Sequence, residues 1–174
     1  MKDLLSIEKS LTEDVELALN KQIAMEAGAS ASYLAMASWC MANGFDLAYE
    51  YFIKQSDEER EHMKKLFRYV NNMGGLAHSP QVGKVREDFD SLREVYEYML
   101  SQEIAVTQAI NNLVDFCMKH KDYSTVEYLN WFVKEQREEV FISRRALKLF
   151  DLMGQDGLGL YEIEKAVTQL KFKE

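Results

Sequence analysis

The sequence predicts an all-α protein, a four-helix bundle with one long crossover and a short fifth helix at its C-terminal end. Three observations carry this. Only one proline (Pro80) and eight glycines interrupt 174 residues, too few for the many turns of a sandwich or barrel. Four long stretches repeat apolar residues every three to four positions, the period of a helix with one buried face. The connections between those stretches are unequal, two tight and one long. A chain of this length supports one core, so a single domain over residues 1–174 is expected.

The first helix begins near Ile7 to Ser10 and stops at Asn43-Gly44; the second stops at Gly74-Gly75. Residues 74–90, with Pro80 and Gly83, lack a core pattern and read as a connection. The third helix opens at Ser91-x-x-Glu94, a capping-box spacing, and runs to about His120. The fourth opens at Ser124-x-x-Glu127 and stops at Gly154. After Gly157 and Gly159, residues Tyr161 to Leu170 form a short amphipathic piece, apolar at Ile163, Val167 and Leu170. A helix of roughly 29 residues is about 43 Å long, and a connection of about 17 residues reaches at most about 56 to 61 Å. The long connection can therefore run the length of the bundle and join helices two and three in a parallel sense, while the tight turns make the flanking pairs antiparallel.

Charge narrows the partners. With 21 Lys and Arg against 29 Asp and Glu the net charge is -8, which disfavours nucleic acid and anionic membranes and favours cations. No window reaches the length of a membrane span, and Met1 to Glu16 is too charged for a signal peptide. Cys40 and Cys117 stand far apart among apolar neighbours, so a reducing cytoplasm is expected and a cysteine metal motif is not.

The core stripes contain an anomaly. The first reads Val15, Leu19, Gln22, Glu26, Ala29, Tyr33, Met36, Cys40, and the second Phe52, Ser56, Glu59, Met63, Leu66, Val70, Met73. The third reads Leu92, Tyr96, Met99, Glu103, Val106, Ile110, Leu113, Cys117, and the fourth Phe132, Gln136, Glu139, Ser143, Ala146, Phe150. A glutamate interrupts each. A lone glutamate at such a position usually snorkels to water, but four converging carboxylates cannot neutralise one another. His62, three residues after Glu59, joins them on one face. Four hard oxygen ligands and one imidazole suit iron or a similar divalent first-row metal, the arrangement known from carboxylate-bridged di-iron bundles.

Over nearly its whole length the chain resembles a non-haem bacterial ferritin. The matching segments are Glu26 with Tyr33 and Trp39, Glu58-Glu59-Arg60-Glu61-His62, Glu103 with Thr107-Gln108, Trp131 through Glu135-Gln136-Arg137-Glu138-Glu139, and Gly157-Leu158-Gly159-Leu160-Tyr161. The resemblance implies a ferroxidase centre in which Glu26, Glu59 and His62 hold one iron, with Glu59 bridging to a second held by Glu103 and Glu139. It also implies a third iron position using Glu58, Glu135 and Glu138 and sharing Glu139. Tyr33 matches the family's site tyrosine, and an ordinary core tyrosine is the competing reading. Dioxygen or peroxide would oxidise Fe(II), and twenty-four subunits would enclose the ferric mineral. Glu61 is either an inner-surface carboxylate or a plain solvated charge, and Glu127 falls near where similar proteins line their three-fold channels.

Departures from neighbouring families refine the expectation. Gln136 and Glu139 stand where bacterioferritins carry a second Glu-x-x-His, so the second iron should be held loosely and passed on. Arg60 stands where bacterioferritins place a haem-ligating methionine, so haem is not expected. Three rivals stay open: a di-iron oxidase or peroxidase that retains its metals, a DNA-protecting mini-ferritin, and a metal-free helical interaction protein. The acidic charge disfavours the second.

Overall fold

Thr12 sets where the first helix begins. Its side chain accepts a hydrogen bond from the Val15 N–H (3.3 Å), and Glu13, Asp14 and Glu16 place negative charge in the first turn. The structure, a computed structural model, describes residues 10–154 and 156–172. Its elements are α1 (Glu13–Ala42), α2 (Asp46–Asn72), α3 (Leu92–Lys119), α4 (Tyr123–Met153) and α5 (Gly157–Val167). The expected start at Ile7 to Ser10 lies mostly outside the described residues, and Ser10, which is described, is not helical. Its N–H instead bonds the Met73 carbonyl (3.2 Å), and Leu11 is buried against the same end of the bundle.

Two other boundaries also differ. Asp122, not Ser124, caps α4: its carboxylate accepts from the Thr125 N–H (3.0 Å) and the Thr125 hydroxyl (2.6 Å). With Asp122 at the cap, Ser124 is already the second residue of the helix and outside the capping position. The fifth helix starts at Gly157, before the expected Tyr161, and ends at Val167, leaving Leu170 beyond it. Glycine reads as a breaker, but Gly159 is there for space: a Cβ at that position would sit 2.7 Å from the Met153 carbonyl oxygen. At the expected stop Asn43-Gly44, Gly44 has φ +80, a conformation that other residues adopt at a cost.

Packing divides the core into two. One cluster gathers Tyr33, Phe52, Tyr96 and Phe150 with Ile163 and Val167 of α5. The other gathers Leu19, Ile23, Leu66, Val70, Ile110 and Leu129. Following each helix through the clusters shows α1 running antiparallel to α2, α3 antiparallel to α4, and α2 parallel to α3. The crossover between α2 and α3 therefore returns along the bundle, pinned to α1 by Asn20, which donates to the Leu76 carbonyl (3.0 Å) and accepts from the His78 N–H (2.7 Å). Every member of the stripes read on the first, third and fourth helices is buried. On the second, Met63 and Met73 are only half-buried. No helix among the described residues is long and apolar enough to cross a membrane.

α5 is held by a contact that local sequence does not announce. The α2 N-cap, Phe45, supplies no side-chain hydrogen bond. The buried Glu164 carboxylate accepts from the Ala48 N–H (3.0 Å) and also from Leu47, so α5 caps the first turn of α2. Glu164→Ala is expected to destabilise the protein by about 1–3 kcal/mol, because it strands the N–H of the buried Ala48. Glu164→Gln, which keeps an acceptor, should cost less; equal losses in urea unfolding would show that packing rather than the cap matters.

Candidate metal centre

Between the two apolar clusters lies a polar layer one helical turn or two thick. α1 contributes Glu26, α2 contributes Glu59 and His62, α3 contributes Glu103, and α4 contributes Gln136 and Glu139. Each stands in its helix's core stripe, so the helical period that buries the leucines also buries these groups. Exposure is 1% for Glu26, 2% for Glu59, 4% for His62, 0% for Glu103 and 5% for Glu139.

The structure brings Glu26, Glu59 and His62 into one cluster, each offering a ligand atom within 4.8 Å of the others. His62 Nδ1 lies 3.3 Å from Glu59 Oε2, and Gln22 donates to Glu26 Oε1 (2.8 Å). Glu103 and Glu139 lie outside that cluster but near enough for their charges to act on Glu59 and on each other. The Tyr33 hydroxyl donates to Glu103, so Tyr33 is both buried in the core and turned toward the site. Gln136 accepts from the Thr107 hydroxyl (3.0 Å) and hydrogen-bonds Glu103. Trp131 sets its ring edgewise to the His62 imidazole, 5.3 Å between centroids, and Lys65 Nζ lies 4.1 Å over the indole.

Burial dominates the electrostatics. It pushes the Glu26 and Glu139 carboxyls well above the ordinary value of 4.5, with Glu59 adding to the first and Glu103 to the second. Glu59 rises to about 8 and Glu103 to about 7, again from burial first, although the Tyr33 hydroxyl pulls Glu103 back. Glu26 Oε2, Glu103 Oε2 and Glu139 Oε2 are buried with no hydrogen-bond donor. Buried carboxyl oxygens without donors are what a cation would satisfy, displacing the protons that burial favours. The donor set of hard oxygens and one imidazole therefore fits iron.

A second acidic group adjoins the first. Glu58 accepts from Gln55, Glu135 Oε1 lies 3.9 Å from His62 Nε2, and the charges of Glu135 and Glu138 both act on Glu58. Burial raises the Glu58 carboxyl. Glu61, by contrast, is exposed and paired with Lys64 (2.6 Å), and Glu127 is exposed. Sequence reasoning missed Gln55 and Tyr51. The Tyr51 hydroxyl lies 3.5 Å from Gln55 Oε1, and the nearby Glu139 and Glu103 charges add to burial in raising it. The signal available was spacing: Tyr51, Gln55 and Glu58 step by four and three along one face of α2.

Residues 16–153 match the family described as the ferritin-like domain. The chain belongs to the ferritin family. This ferritin is 36% identical over 160 residues to the bacterial non-heme ferritin of Campylobacter jejuni, an alignment spanning 92% of this chain and 96% of that one. It is equally similar, 36% over 163 residues, to a probable bacterial non-heme ferritin-like protein of Haemophilus influenzae, covering 94% and 99%. Among solved structures, the open-pore ferritin of the archaeon Archaeoglobus fulgidus superposes with a TM-score of 0.89 at 30% identity, over 94% of this ferritin and 99% of that chain. An engineered closed form of the Archaeoglobus ferritin gives 0.88 at the same identity and coverage.

Proposed function

We propose that this ferritin stores iron by oxidising Fe(II) at the buried carboxylate layer and passing the ferric product to an internal mineral. The observation that carries the reading is the Glu26, Glu59 and His62 cluster, with Glu26 Oε2 and the neighbouring Glu103 Oε2 and Glu139 Oε2 buried without a donor. One Fe(II) binds Glu26, Glu59 and His62. A second binds Glu103 and Glu139, with Glu59 between them. Anionic oxygens favour the higher charge of ferric iron and so ease the loss of an electron to dioxygen or peroxide. Tyr33 and Gln136 hold Glu103 in place from two sides. The neutral Gln136 adds no charge to the second position, which suits a site that releases its product. Glu58, Glu135 and Glu138 form a third, more exposed iron position beside Glu139.

In this reading twenty-four copies form a hollow shell in the cytoplasm, and Arg60, standing where bacterioferritins carry a methionine, leaves haem without a ligand. Aerobic addition of Fe(II) to metal-free protein, far beyond two per chain, tests it on a sizing column. Hundreds of irons are expected to migrate with a particle of roughly half a megadalton. Saturation near about two irons per chain would instead indicate a di-iron oxidase that keeps its metals, and no retained iron would remove the metal from the reading.

A further inference from the structure

The Glu26 carboxylate is held by one of its oxygens only. Gln22 stands one helical turn before it on α1, and Gln22 Nε2 donates to Glu26 Oε1 (2.8 Å). Oε2 of the same carboxylate is buried without a donor. A metal-bound Glu26 is ionised and can only accept, so the amide presents its N–H side to it. The same division recurs across the site, where the Tyr33 hydroxyl donates to Glu103 Oε1 and leaves Glu103 Oε2 without a donor.

Gln22 has no other visible task. It is 4% exposed, with the buried Leu19 and Ile23 beside it on α1, and an amide in such a place carries a desolvation cost. Among the described residues Glu26 is the one hydrogen-bond partner of its side chain. A glutamine kept for stability would tie two helices together, as Gln136 of α4 does in accepting from Thr107 of α3. Gln22 bonds within its own helix, between residues that the helix already places one turn apart, so what the bond fixes is the orientation of the Glu26 carboxylate.

We propose that Gln22 is a positioning residue for the first iron: it holds Oε1 of Glu26 and turns Oε2 alone toward the metal, beside Glu59 and His62. The inference rests on the iron site proposed above and adds to it a residue that does not touch the metal. Groups that hydrogen-bond a metal's ligands orient them, and their loss typically costs about 10- to 100-fold in metal affinity. Ligation through one oxygen also leaves the first iron a free coordination position for water or the oxidant.

Co(II) is the probe, a divalent ion whose visible bands weaken as its coordination number rises. It is titrated into metal-free protein against a coloured chelator, and the equivalent lost in His62→Ala identifies the first position. Gln22→Met keeps the length and bulk of the side chain without an N–H. Gln22→Asn keeps the amide but is one methylene too short to reach Oε1. In both variants Co(II) at the first position is expected to bind at least about 10-fold more weakly, while binding at Glu103 and Glu139 changes by less than about 2-fold. The bands of the first equivalent should also weaken, because the released carboxylate can supply both oxygens. Unchanged helix content and particle size serve as folding controls. Parent-like affinity or parent-like bands in both variants would overturn the inference. Equal weakening at both positions would also overturn it, reducing Gln22 to packing. A parent that binds no Co(II) would overturn the metal site itself, and the inference with it, so the two failures are told apart.

Discussion

Glu59→Gln is expected to abolish iron oxidation while making the metal-free protein more stable. The two effects have one cause. Glu59 is 2% exposed, and burial followed by the Glu103 charge raises its carboxyl to about 8. Holding such a group near neutral pH opposes folding, and a neutral amide of the same shape removes that opposition. The gain should be about 2–3 kcal/mol at pH 7, because each tenfold difference in proton affinity between the folded and unfolded chains is worth about 1.4 kcal/mol. In the proposed function the same substitution deletes the one carboxylate shared by both iron positions. Loss of outer partners of metal ligands already costs about 10- to 100-fold, so the initial rate of ferric formation should fall at least about 100-fold. Stopped-flow absorbance and thermal unfolding of chelator-treated protein provide the two readouts. Parent-like oxidation would remove Glu59 from the site. Lost oxidation with lowered stability would mean that the carboxylate chiefly holds the bundle together.

That opposition between stability and function is also why the site was legible in the sequence. Leucines in a stripe report only a buried face, but Glu26, Glu59, Glu103 and Glu139 interrupt four otherwise apolar stripes, and the structure buries all four in one layer. The elements themselves follow from period and punctuation, which act locally. What the sequence hid is what depends on competition or distance. Ser124 and Asp122 are both good caps of similar intrinsic preference, so residue type alone does not choose between them. Glu164 reaches the first turn of α2 across more than a hundred residues, a pairing no spacing rule anticipates. Tyr51 and Gln55 lie between the apolar cluster and the carboxylates, so the pattern alone reads them as ordinary helix positions.

A second expected result concerns acidity, and its sign follows from which state holds protons more tightly. In the unfolded chain the site glutamates titrate near the ordinary value of 4.5, whereas in the folded metal-free protein Glu103 and Glu59 hold their protons to about 7 and 8, and burial shifts Glu26 and Glu139 the same way. Their contribution to stability is therefore fully present below about pH 4.5 and falls as pH rises through about 7 and 8, where Glu103 and Glu59 lose their protons. Glu59 and Glu103 together should remove on the order of 5 kcal/mol across that window, with Glu26 and Glu139 acting in the same direction. The surface carboxylates Glu61 and Glu94 are shifted downward instead, so their pH dependence falls below 4.5, outside the window. A redox-inert divalent cation such as Zn(II) should reverse the trend, because binding favours the ionised carboxylates and strengthens as protons leave. Thermal unfolding of chelator-treated protein between about pH 5 and 8.5, with and without Zn(II), tests this linkage. Tm should fall with pH in the metal-free series and stay level or rise in the other. A metal-free Tm that stays level or rises over the same range would mean that the four carboxylates reach water and are not a buried site awaiting a cation.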